Sequence, residues 1–161
     1  MTWTARQVWK AMSREQRLQA AEALFADERL DKPSRLQALA PWMVAQGLRL
    51  QFLDSLPRAR RASLLASSGL PEETAAQVLL SFHLVARRPL LARFLDLLGV
   101  KHKDGLVEED QDMRPDPAKL PEAILVMRRE FPPEDVDVYF RTLVAADPEG
   151  WEALAEEIAP P

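Results

Sequence analysis

The sequence predicts an all-α protein: a compact irregular multi-helix bundle with a small C-terminal helical subdomain. Three observations predict it. Helix-start signatures recur along the chain, as Ser/Thr-x-x-Gln boxes and as Pro-Glu pairs. Five glycines against thirteen prolines suit short helices with stiff corners better than a sheet with tight glycine turns. Strand signals are almost absent. The run "AILVM" at 123–127 could be a strand by composition, but Pro121-Glu122 before it and Arg128-Arg129-Glu130 after it favour a helix.

The elements follow in order. Thr4…Gln7 opens a helix over 4–12, and Ser13…Gln16 opens one over 13–28, where Leu18, Ala21, Leu24 and Phe25 share a face. Ser34…Gln37 opens 34–46, which Gly47 closes in a left-handed cap. Segments 49–55 and 57–68 follow, with Gly69 as the next cap. Pro71-Glu72 starts 71–86. There Val78, Leu79, Phe82 and Val85 form a stripe that Leu80 and Leu84 widen until it is nearly all round, the mark of a buried central helix. Segment 88–98 ends at Gly99, and 121–131, 133–146 and 148–158 open at Pro121, Pro133 and Pro148, each followed by Glu. The last of these puts Trp151, Leu154, Ala155 and Ile158 on one stripe, away from Glu152, Glu156 and Glu157. No repeat at a fixed period is visible.

The net charge of −4 hides an asymmetry. Residues 1–103 carry 16 basic and 9 acidic side chains, and residues 104–161 carry 5 and 16, so a part at +7 precedes a part at −11. The reading is a basic helical body (1–99), a charged, proline-containing connector (100–120) and an acidic helical subdomain (121–161). Three short helices are too few to bury a good core alone, so this subdomain is expected to pack on the body as one structural domain.

Several function classes are excluded. Without cysteine there are no disulfides, thiolate nucleophiles or Cys-based metal sites. No Gly-x-Ser-x-Gly elbow or phosphate-binding glycine pattern occurs. The polar N-terminus shows no signal peptide, and the longest apolar run falls far short of a membrane span, so a cytoplasmic protein off the membrane is expected.

Two clusters remain as candidates. In "GVKHKDGLVEEDQD", Asp104, Glu108, Glu109, Asp110 and Asp112 are oxygen donors of the kind hard cations prefer, but the EF-hand spacing fails from either Asp110 or Asp104. His102-Lys103-Asp104 has His-x-carboxylate spacing, with His83 as the remaining candidate ligand. The plainer reading is a solvated acidic loop and a half-buried histidine, and no metal or cofactor is predicted. The second cluster is basic. Arg58, Arg60 and Arg61 fall in the first turn after Pro57, where positive charge opposes the helix dipole, unless the helix runs through from 49 with a kink at Pro57. Arg87 and Arg88 lie at a helix end.

These features lead to a non-enzymatic protein–protein interaction or adaptor module that uses Arg58, Arg60, Arg61, Arg87 and Arg88. Second comes a small-ligand or metal-binding protein or enzyme with a site near 100–112. Third comes nucleic-acid binding through Arg58, Arg60 and Arg61, against which stand the acidic whole chain and the lack of interleaved aromatics. A homodimer is compatible with an apolar stripe left uncovered.

Overall fold

The chain is all-α, as seen in a computed structural model that describes residues 2–108 and 114–158. Among the described residues the first half holds α1 (Ala5–Ala11), α2 (Arg14–Ala26), α3 (Lys32–Gln46), α4 (Leu50–Ser55), α5 (Arg58–Ala66) and α6 (Glu72–Ser81). A π-helical turn (Phe82–Ala86) extends α6. Then come α7 (Arg88–Leu98), β1 (His102–Lys103), β2 (Leu106–Val107), α8 (Leu120–Glu130), α9 (Pro133–Ala146) and α10 (Glu152–Glu157). No described helix is long and apolar enough to cross a membrane.

Local chemistry explains most of these boundaries. Ser13 and Gln16 form the predicted capping box: the Gln16 N–H donates to Ser13 Oγ, and the Ser13 N–H donates back to Gln16 Oε1, both at 3.1 Å. Gly47 and Gly99 adopt the left-handed conformation at φ +65° and +69°. The next N–H beyond each reaches back, Leu48 to the Met43 carbonyl at 2.8 Å and Val100 to the Leu95 carbonyl at 2.9 Å, which completes Schellman ends.

Three expectations are corrected here. Helix α3 starts before Ser34, because Asp31 caps it by accepting from the Ser34 N–H at 2.7 Å and Pro33 fits the first turn. Gly69 is not left-handed; α5 already ends at Ala66, and Ser67 is its C-cap in a right-handed conformation. The last helix starts at Glu152, since Asp147 Oδ1 takes the Gly150 N–H at 3.0 Å and holds 147–150 in a turn.

The structure falls into two compact units, Ala5–Ala86 and Met1–Thr4 with Arg87–Pro161. In the first, α2 packs on α5, and α1 and α3 pack on α6. Val8, Trp9, Leu24, Leu39, Trp42, Leu65, Val78 and Phe82 are buried in its core. Polar groups tie these helices together. The Glu72 carboxylate accepts from the Ala5 and Arg6 N–H groups at 2.7 and 3.1 Å, so α6 supplies acceptors for the first turn of α1. Trp9 Nε1 donates to the Ser68 carbonyl at 3.0 Å, and Thr74 Oγ1 to the Ala38 carbonyl at 2.7 Å.

The expectation of an apolar ring around 71–86 is also corrected. Leu80 and Val85 are 47% and 42% exposed, while Phe82, His83 and Leu84 are buried. Leu80 precedes the π turn, on the side of α6 that faces solvent. Within the turn, i→i+5 bonding changes the angular spacing of successive residues, and Phe82, His83 and Leu84 turn inward while Val85 faces out.

In the second unit α7 packs on α8, α8 on α9 and α9 on α10. Its core centres on Phe94, which meets Phe140 at 5.0 Å, Tyr139 edge-on at 5.7 Å and Trp151 stacked at 5.9 Å. Trp3 Nε1 donates to the Ile158 carbonyl at 2.6 Å, and the Arg141 guanidinium lies 4.6 Å over the Trp3 ring. On α10, Leu154 and the following Ile158 are buried and Glu152, Glu156 and Glu157 exposed, in the predicted pattern.

Candidate functional site

The surface of the first unit carries an open hollow of about 450 Å³ formed by α2, α3, α4 and α5. That volume lies within the range of about 300–1,000 Å³ found for ligand sites. Its apolar lining comes from Phe25 on α2, Leu36 and Leu39 on α3, and Leu53 on α4. Its charged lining is four cations, Lys32 and Arg35 from α3 and Arg58 and Arg61 from α5, with one carboxylate, Asp54.

Each pair of cations arises from helix geometry. Residues three apart lie on one face, so Lys32 and Arg35 in the first turn of α3 point the same way, as do Arg58 and Arg61 in that of α5. Asp31 sets the start of the first turn, and Pro57 that of the second. Leu56 and Pro57 are both extended, with ψ of 143° and 150°, so α4 stops at Ser55 and α5 is a separate helix. The kink alternative fails, and the three arginines do crowd a helix start. No acidic residue occupies that turn and no side chain caps it.

Two of the four cations are fixed in place. Arg35 Nη2 donates to the Asp27 carbonyl at 2.8 Å and more weakly to the Leu30 carbonyl at 3.4 Å. Arg61 Nε donates to the Leu56 carbonyl at 3.0 Å, and its guanidinium lies 5.9 Å from the Phe25 ring centre. These neutral partners orient the guanidinium groups, and neither forms an ion pair with a described residue. The side chains of Lys32 and Arg58 make no hydrogen bond or ion pair with any described residue.

The carbonyl that holds Arg35 is itself held. Asp27 is fully buried, and its carboxylate accepts from Ser81 Oγ at 2.7 Å and from Arg29 Nε and Nη2 at 3.0 and 2.5 Å. Burial alone would push the Asp27 carboxyl up, but hydrogen bonds from Ser81 and Arg29 together outweigh it and hold the group below the ordinary carboxylate range.

The other sequence candidates lie elsewhere. Arg60 is exposed on α5 and does not line the hollow. Arg87 and Arg88 belong to the second unit, where Arg87 pairs with Asp135 at 3.3 Å and Arg88 with Asp104 at 3.1 Å. His102 sits in the β1–β2 hairpin, whose register pairs it with Val107. The Gly105 N–H donates to its Nδ1 at 3.0 Å, which assigns the proton to Nε2, and Nε2 lies 2.7 Å from Asp96 Oδ1. Both ring nitrogens are thus engaged within the fold. Asp104 and Gly105 form the two-residue turn, both at positive φ, and Asp104 turns its carboxylate to Arg88.

His83 lies in the first unit, 3% exposed in the π turn with its ring 5.3 Å from that of Phe82. His83 therefore lies in a different unit from His102 and Asp104. Among the described residues no group of three or more His, Asp or Glu side chains could hold a metal ion. Glu109, Asp110 and Asp112 lie outside the described residues.

Lys32 and Arg35 were not singled out by the sequence, which offered only the faint signal of two cations three apart at a helix start. Comparison of the chain with protein-family profiles, with characterised proteins and with solved structures finds no match.

Proposed function

We propose that this protein is a non-enzymatic interaction module that docks an acidic segment of another protein on the α3–α5 face of its first unit. A single observation carries the reading: four cations line an apolar hollow, and none of them forms an ion pair with a described residue. Positive groups set around a low-dielectric floor attract and orient an anionic partner, and the apolar area supplies affinity once it docks. The hollow offers no nucleophile–base pair, which favours binding over chemistry.

Fluorescence anisotropy of a labelled Glu-rich peptide against the full chain tests this. Binding should weaken as salt rises from low concentration to about 0.15 M, where the Debye length is about 8 Å. It should fall further in the Lys32→Gln/Arg58→Gln variant, whose two side chains bond no described residue. No binding at low salt, or tighter binding to duplex DNA of matched charge, would overturn the proposal.

A further inference from the structure

The lining of the hollow is more specific than a basic patch. Its cations are two separate pairs, each on the first turn of a different helix, and the apolar side chains lie in the same hollow. In each pair one arginine is anchored through a backbone carbonyl, Arg35 through that of Asp27 and Arg61 through that of Leu56. The other member of each pair, Lys32 or Arg58, has no described partner. Each side of the hollow thus presents one oriented planar fork and one unpaired point or fork charge, a combination suited to a carboxylate. The floor of Phe25, Leu36, Leu39 and Leu53 offers nothing to a charge. Asp54, also on the lining, disfavours a further acid beside it.

Resting on the reading of an acidic partner, we infer that the partner is recognised by an apolar anchor flanked by carboxylates. One large apolar side chain of an acidic peptide segment seats on the floor. An acidic residue on one side of it meets Lys32 and Arg35, and an acidic residue on the other side meets Arg58 and Arg61. Charge complementarity selects the occupant, because a neutral apolar segment would bury the floor but leave four cations beside it without counter-charge.

Four labelled peptides of equal length test this against the full chain by anisotropy: an acidic run with a central Phe, the same run with Ser for Phe, the same run with the Phe moved to its end, and the Phe peptide with Gln for its acids. The first should bind, and each of the others should bind at least about tenfold more weakly, a difference typical of losing one interface anchor. The preference for a central Phe should shrink in Lys32→Gln/Arg58→Gln. If the three acidic peptides bind equally well, the anchored recognition is wrong while the acid-binding reading stands. If none of the four binds, the reading itself fails. Displacement of the central-Phe peptide by an equal concentration of a small aromatic dicarboxylate would overturn a peptide as the occupant.

Discussion

Ser81 donates a 2.7 Å hydrogen bond to the carboxylate of Asp27, 54 residues away in sequence, and both side chains are buried. The bond joins the C-terminal end of α2 to that of α6, and the Asp27 main-chain carbonyl then holds Arg35 beside the hollow. Removing the hydroxyl in Ser81→Ala leaves one lone pair of a buried carboxylate without its donor. A loss of about 1–3 kcal/mol in urea-unfolding stability is expected. The same pair gives a pH dependence. Because the folded-state pKa of Asp27 is depressed, its contribution is full above the ordinary carboxylate range and is lost as pH falls through the lower folded value. Stability of the wild type should therefore fall more steeply below about pH 4 than that of Asp27→Asn, read from urea midpoints across pH.

Gly105 stands at φ +83° in the hairpin turn, where an added Cβ would come 3.2 Å from Leu91 Cβ and 3.4 Å from the Arg88 carbonyl oxygen. Gly47 shares the left-handed conformation but would meet nothing within 4 Å. Gly47→Ala should cost about 1 kcal/mol of backbone strain, and Gly105→Ala should cost more because steric conflict adds to it. Thermal melts of the two variants compare them; equal losses would show that the hairpin does not press against α7.

Trp9 and Trp42 are both buried, but only Trp9 places its Nε1–H on an acceptor, the Ser68 carbonyl. Trp42 Nε1 finds none among the described residues. Each indole-to-phenyl change loses similar packing, so Trp9→Phe should be the more destabilising by about 1 kcal/mol, the net worth of one hydrogen bond. Chemical denaturation of the two variants measures the difference.

Two neighbouring leucines near the end of α6 face opposite ways. Leu79 is fully buried and Leu80 nearly half exposed. Leu79→Ala should cost about 2–5 kcal/mol by opening a core cavity, whereas Leu80→Gln should stay within about 0.5 kcal/mol of the wild type. A large loss in Leu80→Gln would mean that this face is covered in solution.

Much of the helical order was legible because its signals are local. The Ser13–Gln16 box, the glycine caps at 47 and 99 and the prolines before Glu72 and Glu134 act within a few residues of themselves. The hairpin was missed although Asp104-Gly105 is a strong turn signal, because two-residue strands show no alternation to read. The π turn has no composition of its own, so the mostly apolar stretch from Val78 to Val85 gave no hint that Val85 faces out. At the hollow, Arg58 and Arg61 stood out for opposing the helix dipole. Lys32 and Arg35 carried no such mark, and only the packing of α2, α3 and α5 brings the four together. In the same way, Glu72 reads in sequence as an ordinary first-turn acid of α6, and only the fold sets it on the first N–H groups of α1.

The most direct measurement is a ¹H–¹⁵N correlation spectrum of the full chain titrated with the acidic peptide carrying a central Phe. Docking at the hollow should move the backbone signals of residues 32–39 and 53–61 together and saturably, with the Arg35 and Arg61 Nε signals among them. Signals that move chiefly in α8 or α9, or none that move at peptide excess, would contradict recognition at this face.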